Sequence, residues 1–350
     1  MFTPHALAPD SAAVGGLCMR LRDRAAETAR IGPWRSGAFA ALADSGCLAG
    51  FLPGDVGGTC ASEPARLLSL TSIAEACLTT ALAVTQWAAA CRIIEGGDNA
   101  TRMAWLPPLG RGETFTTVGI SQLTTSRRHL GKAALTAREE ADGWRLDGEC
   151  PWVTGADSVD TIVTGAATDD GGQRFFVVET AATGLTVEPP LDMLALSGSR
   201  TSAVRCAGVR PAAVIAPAHG DGARTGGLAT TALAVGATRA SVAIVAEEAV
   251  RRAELVPIAE HLTAEADRLA ARLDEAARTG IEREDRDRLR ADANGLVVRA
   301  AQAALVACKG AGFVQGHLAE RLVRESMFFL VWSCPQAVTH AVMCDLAATS

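Results

Sequence analysis

Cys150-Pro151-Trp152-Val153-Thr154-Gly155-Ala156-Asp157 lies at the centre of the stretch that decides the fold, residues 113–217. Over that stretch the helical spacing stops and short β-rich runs broken by turns take its place. Ala134-Leu135-Thr136-Ala137 and Trp144-Arg145-Leu146-Asp147-Gly148 flank Asp142-Gly143, a dipeptide that supplies the positive-φ positions of a tight hairpin. Thr161-Ile162-Val163-Thr164 and Phe175-Phe176-Val177-Val178 form a second pair, separated by Thr168-Asp169-Asp170-Gly171-Gly172. Two more runs, Gly184-Leu185-Thr186-Val187-Glu188 and Ala203-Val204-Arg205-Cys206, read as further strands. Helices, a β insert and more helices is the expected outline.

On the N-terminal side, residues 12–30 and 34–43 read as amphipathic helices, with Gly46 as a stop. Residues 63–94 place Leu67, Leu70, Ile73, Ala74 and Cys77 at helical spacing, and Gly96-Gly97 ends the run. A short helix over 99–106 meets Pro107-Pro108. On the C-terminal side, residues 220–227 make a glycine-rich linker. Helices are then expected over about 230–255 and 258–277, from about 283 through the apolar run around Val297 and Ala304, and over 318–332. Four helices in sequence make an antiparallel bundle the simplest arrangement.

At 350 residues the chain can bury a large core in two or three subdomains. The net charge of −6 offers no basic footprint for nucleic acid. Ten cysteines form no C-x-x-C pair and histidine is scarce at six, so zinc-ligand spacing is absent. Cys77, Cys91, Cys308 and Cys344 sit in apolar helical surroundings, where a thiol serves as a small hydrophobe. Met1-Phe2-Thr3-Pro4-His5 lacks a basic segment ahead of an apolar one, and no uninterrupted apolar run reaches the roughly 18 residues of a membrane span. The expectation is a soluble protein of a reducing, cytoplasmic compartment.

The order of these segments resembles the acyl-CoA dehydrogenase family of flavoproteins. The likeness rests on Gly50-Phe51-Leu52-Pro53-Gly54-Asp55-Val56-Gly57-Gly58, on Trp105-Leu106-Pro107-Pro108 through Glu113, and on Trp152-Val153-Thr154-Gly155-Ala156. Gly198-Ser199-Arg200-Thr201-Ser202, Gly310-Ala311-Gly312-Phe313 and Arg321-Leu322-Val323-Arg324-Glu325 continue it, so it covers nearly the full length. Their order and spacing carry the likeness more than any one motif. The implied fold is α+β and mainly α: an N-terminal helical domain (1–112), a middle β-barrel-like domain (113–218) and a C-terminal four-helix bundle (219–350). Noncovalent FAD, an acyl thioester substrate on CoA or a carrier protein, and a homodimer or tetramer are implied with it. No electron acceptor is named by the sequence.

Strand alternation puts Trp152 and Thr154 on one face. Pattern alone favours a core tryptophan and a surface threonine; the resemblance reverses that, giving the Thr154 hydroxyl to flavin N5 and the Trp152 ring to cover. Ser121-Gln122 falls where the family has a threonine-glutamate pair along the flavin pyrimidine, and Gln122 keeps the shape without the charge. In the polar run that follows, Ser126 and Arg127 are candidates for a phosphate of FAD or CoA, against a simple polar loop. Arg252 matches an arginine that meets the FAD pyrophosphate, and a solvated helix-face arginine explains it as well. Gly310 and Gly312 match a glycine pair at the adenine end of FAD, or cap a helix. Gln86 and Trp87 are placed near the acyl group.

The family's base, a glutamate that takes the α-proton of the thioester, is missing from this pattern. Ser333 stands in its usual place, and the alternative position falls at Gly226-Gly227. A serine is no base without a partner. Glu247, Glu248, Glu325 and His340 remain as candidates, each with a structural explanation of its own. Three readings follow: α,β-desaturation of an acyl thioester, a flavin-dependent oxidase or monooxygenase on the same fold, and a catalytically silent subunit paired with an active paralogue.

Overall fold

A computed structural model describes residues 12–34, 37–124, 133–216, 227–332 and 334–347. The N-terminal helices are α1 (Ala12–Asp23), α2 (Ala25–Ile31), α3 (Ala38–Asp44), α4 (Glu63–Ala76), α5 (Leu78–Glu95) and α6 (Asn99–Gly110). The helix expected over 12–30 is broken at Arg24, whose φ −99 and ψ 0 leave the helical region. Cys77 likewise separates α4 from α5 by taking an extended conformation, φ −158 and ψ 103. Ser62 and Asp98 cap α4 and α6, each accepting from the N–H three residues on. Against expectation, α6 continues through Pro107-Pro108. The two carbonyls left without an N–H partner belong to Met103 and Ala104, which are solvent-exposed, so water can serve them.

The middle region holds β1 (Thr116–Gly119), the single-turn α7 (Ser121–Thr124), β2 (Leu135–Glu140), β3 (Gly143–Val153), β4 (Thr161–Thr168), β5 (Gln173–Glu179), β6 (Leu185–Val187), β7 (Ser202–Val209) and β8 (Ala213–Ile215). They form one eight-stranded sheet in the order β6-β7-β3-β2-β4-β5-β8, and β1 joins it beside β4. β4 therefore carries two partners along one edge: β1 pairs Thr116 with Thr161, and β2 pairs Thr136 with Ala167. The expected hairpins are β2–β3 and β4–β5; in the first, the loop residues are Ala141 and Asp142, and Gly143 already pairs with Glu140. β3 and β7 lose register between Cys150 and Val153, which bends the end of β3.

The C-terminal helices are α8 (Leu228–Ala249), α9 (Val256–Thr279), α10 (Arg283–Gly312), α11 (Leu318–Ser326), α12 (Phe328–Val331) and α13 (Gln336–Leu346). α8 packs against α10, α9 and α4, so it ties the C-terminal helices to the N-terminal ones. It is long and apolar enough to cross a membrane by composition, but 78% of the apolar stretch is buried by its neighbours. A helix that is apolar all round and covered all round is a core helix. The helix expected over 230–255 ends at Ala249, and that expected over 318–332 breaks at Met327. α10 kinks at Lys309, whose φ of 53 and ψ of −143 lie outside the helical region. The architecture is α+β and mainly α, with helical, sheet and helical regions in chain order.

Candidate functional site

The end of β3 is built by the segment 199–202, which runs beside it. Gly155 takes φ +70, and its N–H donates to the Ser199 carbonyl at 2.8 Å. The Trp34 ring lies against the glycine so closely that a Cβ would stand 2.3 Å from it. Asp157 receives the Arg200 guanidinium at 2.8 and 2.9 Å from Nε. Burial works against the Asp157 charge, but the Arg200 and Ser158 hydrogen bonds hold its carboxyl below the ordinary value. Inside this frame Thr154 is buried, and its hydroxyl meets Thr201 Oγ1 at 3.3 Å. Thr201 in turn meets Ser199 Oγ at 2.8 Å. Trp152, two residues before Thr154, is 41% exposed, whereas Val153 and Thr154 after it are at most 1% exposed.

β1 ends beside this segment: a Cβ on Gly119 would touch Val153 Cγ2 at 3.0 Å. The chain then turns into α7, which carries Ser121 and Gln122. Gln122 is buried, and its Nε2 donates to the carbonyls of Gly119 (3.1 Å) and Gly165 (2.9 Å). Thr164 donates to the same Gly119 carbonyl at 2.7 Å and contacts Cys150 Sγ at 3.0 Å. Burial pushes the Cys150 thiol up to about 12, so it stays protonated.

The remaining candidates are dispersed. Arg252 donates to Glu248 at 2.7 Å and to the Ala307 carbonyl, a bond that fastens the end of α8 to the kink of α10. Gly310 has open space where a Cβ would be, whereas a Cβ on Gly312 would meet Cys308 Cβ at 2.7 Å. Trp87 is fully buried against Phe51, and Gln86 donates to Thr85 Oγ1. Ser126, Arg127, Gly226 and Ser333 lie outside the described residues. Gly227 caps α8. His340 is within 3.7 Å of Cys344 Sγ.

Glu325 is the buried carboxyl of the set. It lines a cleft of about 790 Å³ between α2, the 194–197 segment and α11, together with Arg30, Glu320, Arg321 and Arg324. Arg324 is held by Glu320 at 3.1 Å, and Arg321 stands 3.7 Å from Glu325. Burial pushes Glu325 up to about 7, against the pull of Arg321 and Arg324. One short segment, 194–202, supplies Leu194, Leu196 and Ser197 to that cleft and Ser199 and Thr201 to the hydroxyls at the end of β3.

Hydrogen-bonding capacity is left over around β1 and the end of β3. Thr117 Oγ1, Ser202 Oγ and Gln122 Oε1 are buried without a partner among the described residues. Unused buried donors and acceptors are costly, about 1–3 kcal/mol each, unless a ligand takes them. Such a set fits the polar edge of a heteroaromatic ring such as flavin. Ser199, Thr201 and Ser202 escaped the sequence reading as site residues. The signal available was the density of hydroxyls over Ser197, Ser199, Thr201 and Ser202, which run beside the turn that follows β3 at Thr154.

Comparison with known proteins gives the same direction. Residues 17–113 match the family model of the acyl-CoA dehydrogenase N-terminal domain. The human mitochondrial short-chain specific acyl-CoA dehydrogenase is 28% identical over 163 residues, 45% of this chain and 39% of that protein. The match thus spans about two fifths of the length of that curated relative. Among solved structures, butyryl-CoA dehydrogenase of Megasphaera elsdenii superimposes with a TM-score of 0.80 at 15% identity, covering 97% of this chain and 98% of the other. KijD3, in complex with FMN and a dTDP-amino-keto sugar, superimposes with a TM-score of 0.75 at 21% identity, covering 100% and 97%.

Proposed function

This chain belongs to the acyl-CoA dehydrogenase family, and on that premise we propose that it is an FAD-dependent oxidoreductase that desaturates an acyl thioester between its α and β carbons. The thioester is carried on CoA or on a carrier protein. One observation supports the reading above the others: the linked, buried hydroxyls of Thr154, Thr201 and Ser199, two residues on from the exposed Trp152. Bound flavin would supply the hydride acceptor. The chain's own contribution would be to donate from Thr154 to the ring edge, to cover the ring with Trp152, and to hold β1 in place through Gln122. Thr117 and Ser202 offer further donors to the same edge.

Assembly into a homodimer or tetramer is part of the proposal. Val306, Phe313 and Val314, around the end of α10, are 75%, 80% and 62% exposed, and apolar side chains of that size gather at subunit contacts. A second reading has its own support. With Ser333 and Gly226-Gly227 at the two base positions, no carboxylate stands at either, and a flavin oxidase or monooxygenase of this fold needs none.

The absorption spectrum of the purified protein, followed by anaerobic addition of mixed acyl-CoAs, tests the proposal. Flavin bands that bleach support desaturation. Bands that persist, with oxygen consumed once a reductant is added, would replace it with the oxygen-dependent reading. A colourless protein that FAD cannot reconstitute would overturn both and leave a silent subunit of a hetero-oligomer.

A further inference from the structure

The cleft between α2, the 194–197 segment and α11 has no role in the flavin reading, and its charged side chains are unevenly paired. Arg30, Arg321 and Arg324 face Glu320 and Glu325, an excess of one positive charge. Glu320 and Arg324 satisfy each other, and Arg324 Nη1 also donates to the Leu194 carbonyl at 3.2 Å, which pins that wall to α11. The other three groups are left over. Arg321 Nε is buried without a hydrogen-bond partner among the described residues, and at 3.7 Å from Glu325 it is too far to donate. Glu325 is 4% exposed and has no hydrogen bond among the described residues. Arg30, on the α2 wall, is exposed and has no ion-pair partner among them.

Around these groups the cleft is aliphatic, through Ala29, Leu196, Leu305 and Val323. Its volume of about 790 Å³ lies within the span of small-molecule sites, about 300–1,000 Å³, which likewise join apolar walls to a few charged groups. The excess positive charge selects an anion. Glu325 need not oppose one: burial raises its carboxyl to about 7, so near neutral pH it can hold a proton and donate. The charged and titratable groups around that carboxyl are Arg321, Arg324 and Glu320 on its own helix, Cys77 between α4 and α5, and Arg30 across the cleft. Burial raises the Cys77 thiol as well, which keeps it neutral. Phe313 also borders the cleft but belongs to the surface proposed for a second copy, and the site does not need it.

We propose that this cleft binds a small anionic amphiphile, a carboxylate with an aliphatic chain of several carbons, whose head meets Arg30, Arg321 and the Glu325 carboxyl and whose chain lies on Leu196, Leu305 and Val323. Binding takes up a proton at Glu325, because the bound anion favours its neutral form. The site is separate from the hydroxyls at the end of β3 and goes beyond the desaturation proposal.

The test titrates octanoate into the full chain by calorimetry at pH 6 and pH 8, with acetate, inorganic phosphate and octylammonium as comparisons. Octanoate should saturate one site and bind about tenfold more weakly at pH 8, where a carboxyl that titrates at about 7 is mostly ionised. Glu325→Gln keeps a donor without a titration, so its affinity should match that of the wild type at pH 6 and be the same at both pH values. Arg30→Gln should weaken octanoate about tenfold at both pH values, as loss of one charge-assisted bond does, with the melting temperature unchanged. Acetate and octylammonium should show no saturable binding.

Octanoate binding that is undiminished in Arg30→Gln and keeps its pH dependence in Glu325→Gln would place the ligand elsewhere and overturn the inference. So would the absence of saturable octanoate binding, a preference for octylammonium, or acetate or phosphate binding as tightly as octanoate, which would mark an adventitious ion only. None of these results bears on the flavin, whose uptake and bleaching are read separately from the absorption spectrum.

Discussion

At Gln122 an amide meets a demand that a carboxylate of the same length meets poorly. Its Nε2 donates to two carbonyl oxygens, at 3.1 and 2.9 Å, in a buried setting. A glutamate there would need its proton to donate at all, and once ionised it would face both carbonyls. Its folded-state pKa would lie above the unfolded value, so stability falls as pH rises through the interval between them. Gln122→Glu should therefore cost about 2 kcal/mol or more at pH 8, with the gap to wild type narrowing toward pH 5; equal losses at both pH values in urea titrations would refute the pose. Glu325 carries the same sign in the native chain. Burial raises its carboxyl to about 7 from an ordinary 4.5, so stability is lost as pH rises from about 4.5 to 7 and the loss is complete above that. The shift corresponds to on the order of 3 kcal/mol. Glu325→Gln should consequently gain stability at pH 8 and show little difference at pH 5, checked by chemical denaturation at the two values. Neither setting could be read from sequence. Gln122 was legible as a neutral residue in a place of charge, but its two carbonyl partners come from Gly119 and from Gly165 on another strand.

Helix contacts show how far the spacing of residues reaches. α8 was legible because it is apolar on every face, yet its closest neighbour was not, since that depends on where α4 lies. At Gly236 a Cβ would stand 2.3 Å from the Thr71 carbonyl and 2.7 Å from Ala74 Cβ, both on α4. Gly15, in the exposed part of α1, has nothing within 4 Å of the same position. Glycine to alanine in a helix stabilises by roughly 0.5–1 kcal/mol when the space is free. Overpacking between two backbones costs about 1–3 kcal/mol. Gly15→Ala should raise the urea midpoint and Gly236→Ala should lower it, and a rise in both would show that α4 and α8 are not this close. The breaks that the helical pattern missed, at Arg24, Cys77 and Met327, have no proline or glycine to announce them. Proline misled in the other direction at α6, where exposed carbonyls made the interruption tolerable.

For the whole molecule, the order of helical, sheet and helical regions was legible because the period of the apolar pattern changes from helical to alternating near residue 113 and back after 217. Strand order was not, because the sheet joins β3 to β7 and divides one edge of β4 between β1 and β2, pairings that are remote in the chain. The same limit hides surfaces meant for another copy of the chain: an apolar residue for a core and one for a contact look alike in sequence. The structure separates them by exposure. Phe313 is 80% exposed and lies with Val314 just past the kink at Lys309, while the nearby Gly312 is buried. If this surface closes an oligomer, a charge placed at its centre must be buried unpaired on association, a penalty of several kcal/mol. On the monomer the same charge stays in water and costs little. Phe313→Asp should thus yield a monomer by light scattering at concentrations where the wild type associates, with the far-ultraviolet circular dichroism unchanged. An unaltered mass for the variant would exclude Phe313 from the contact, and a monomeric wild type would remove the oligomer from the proposal.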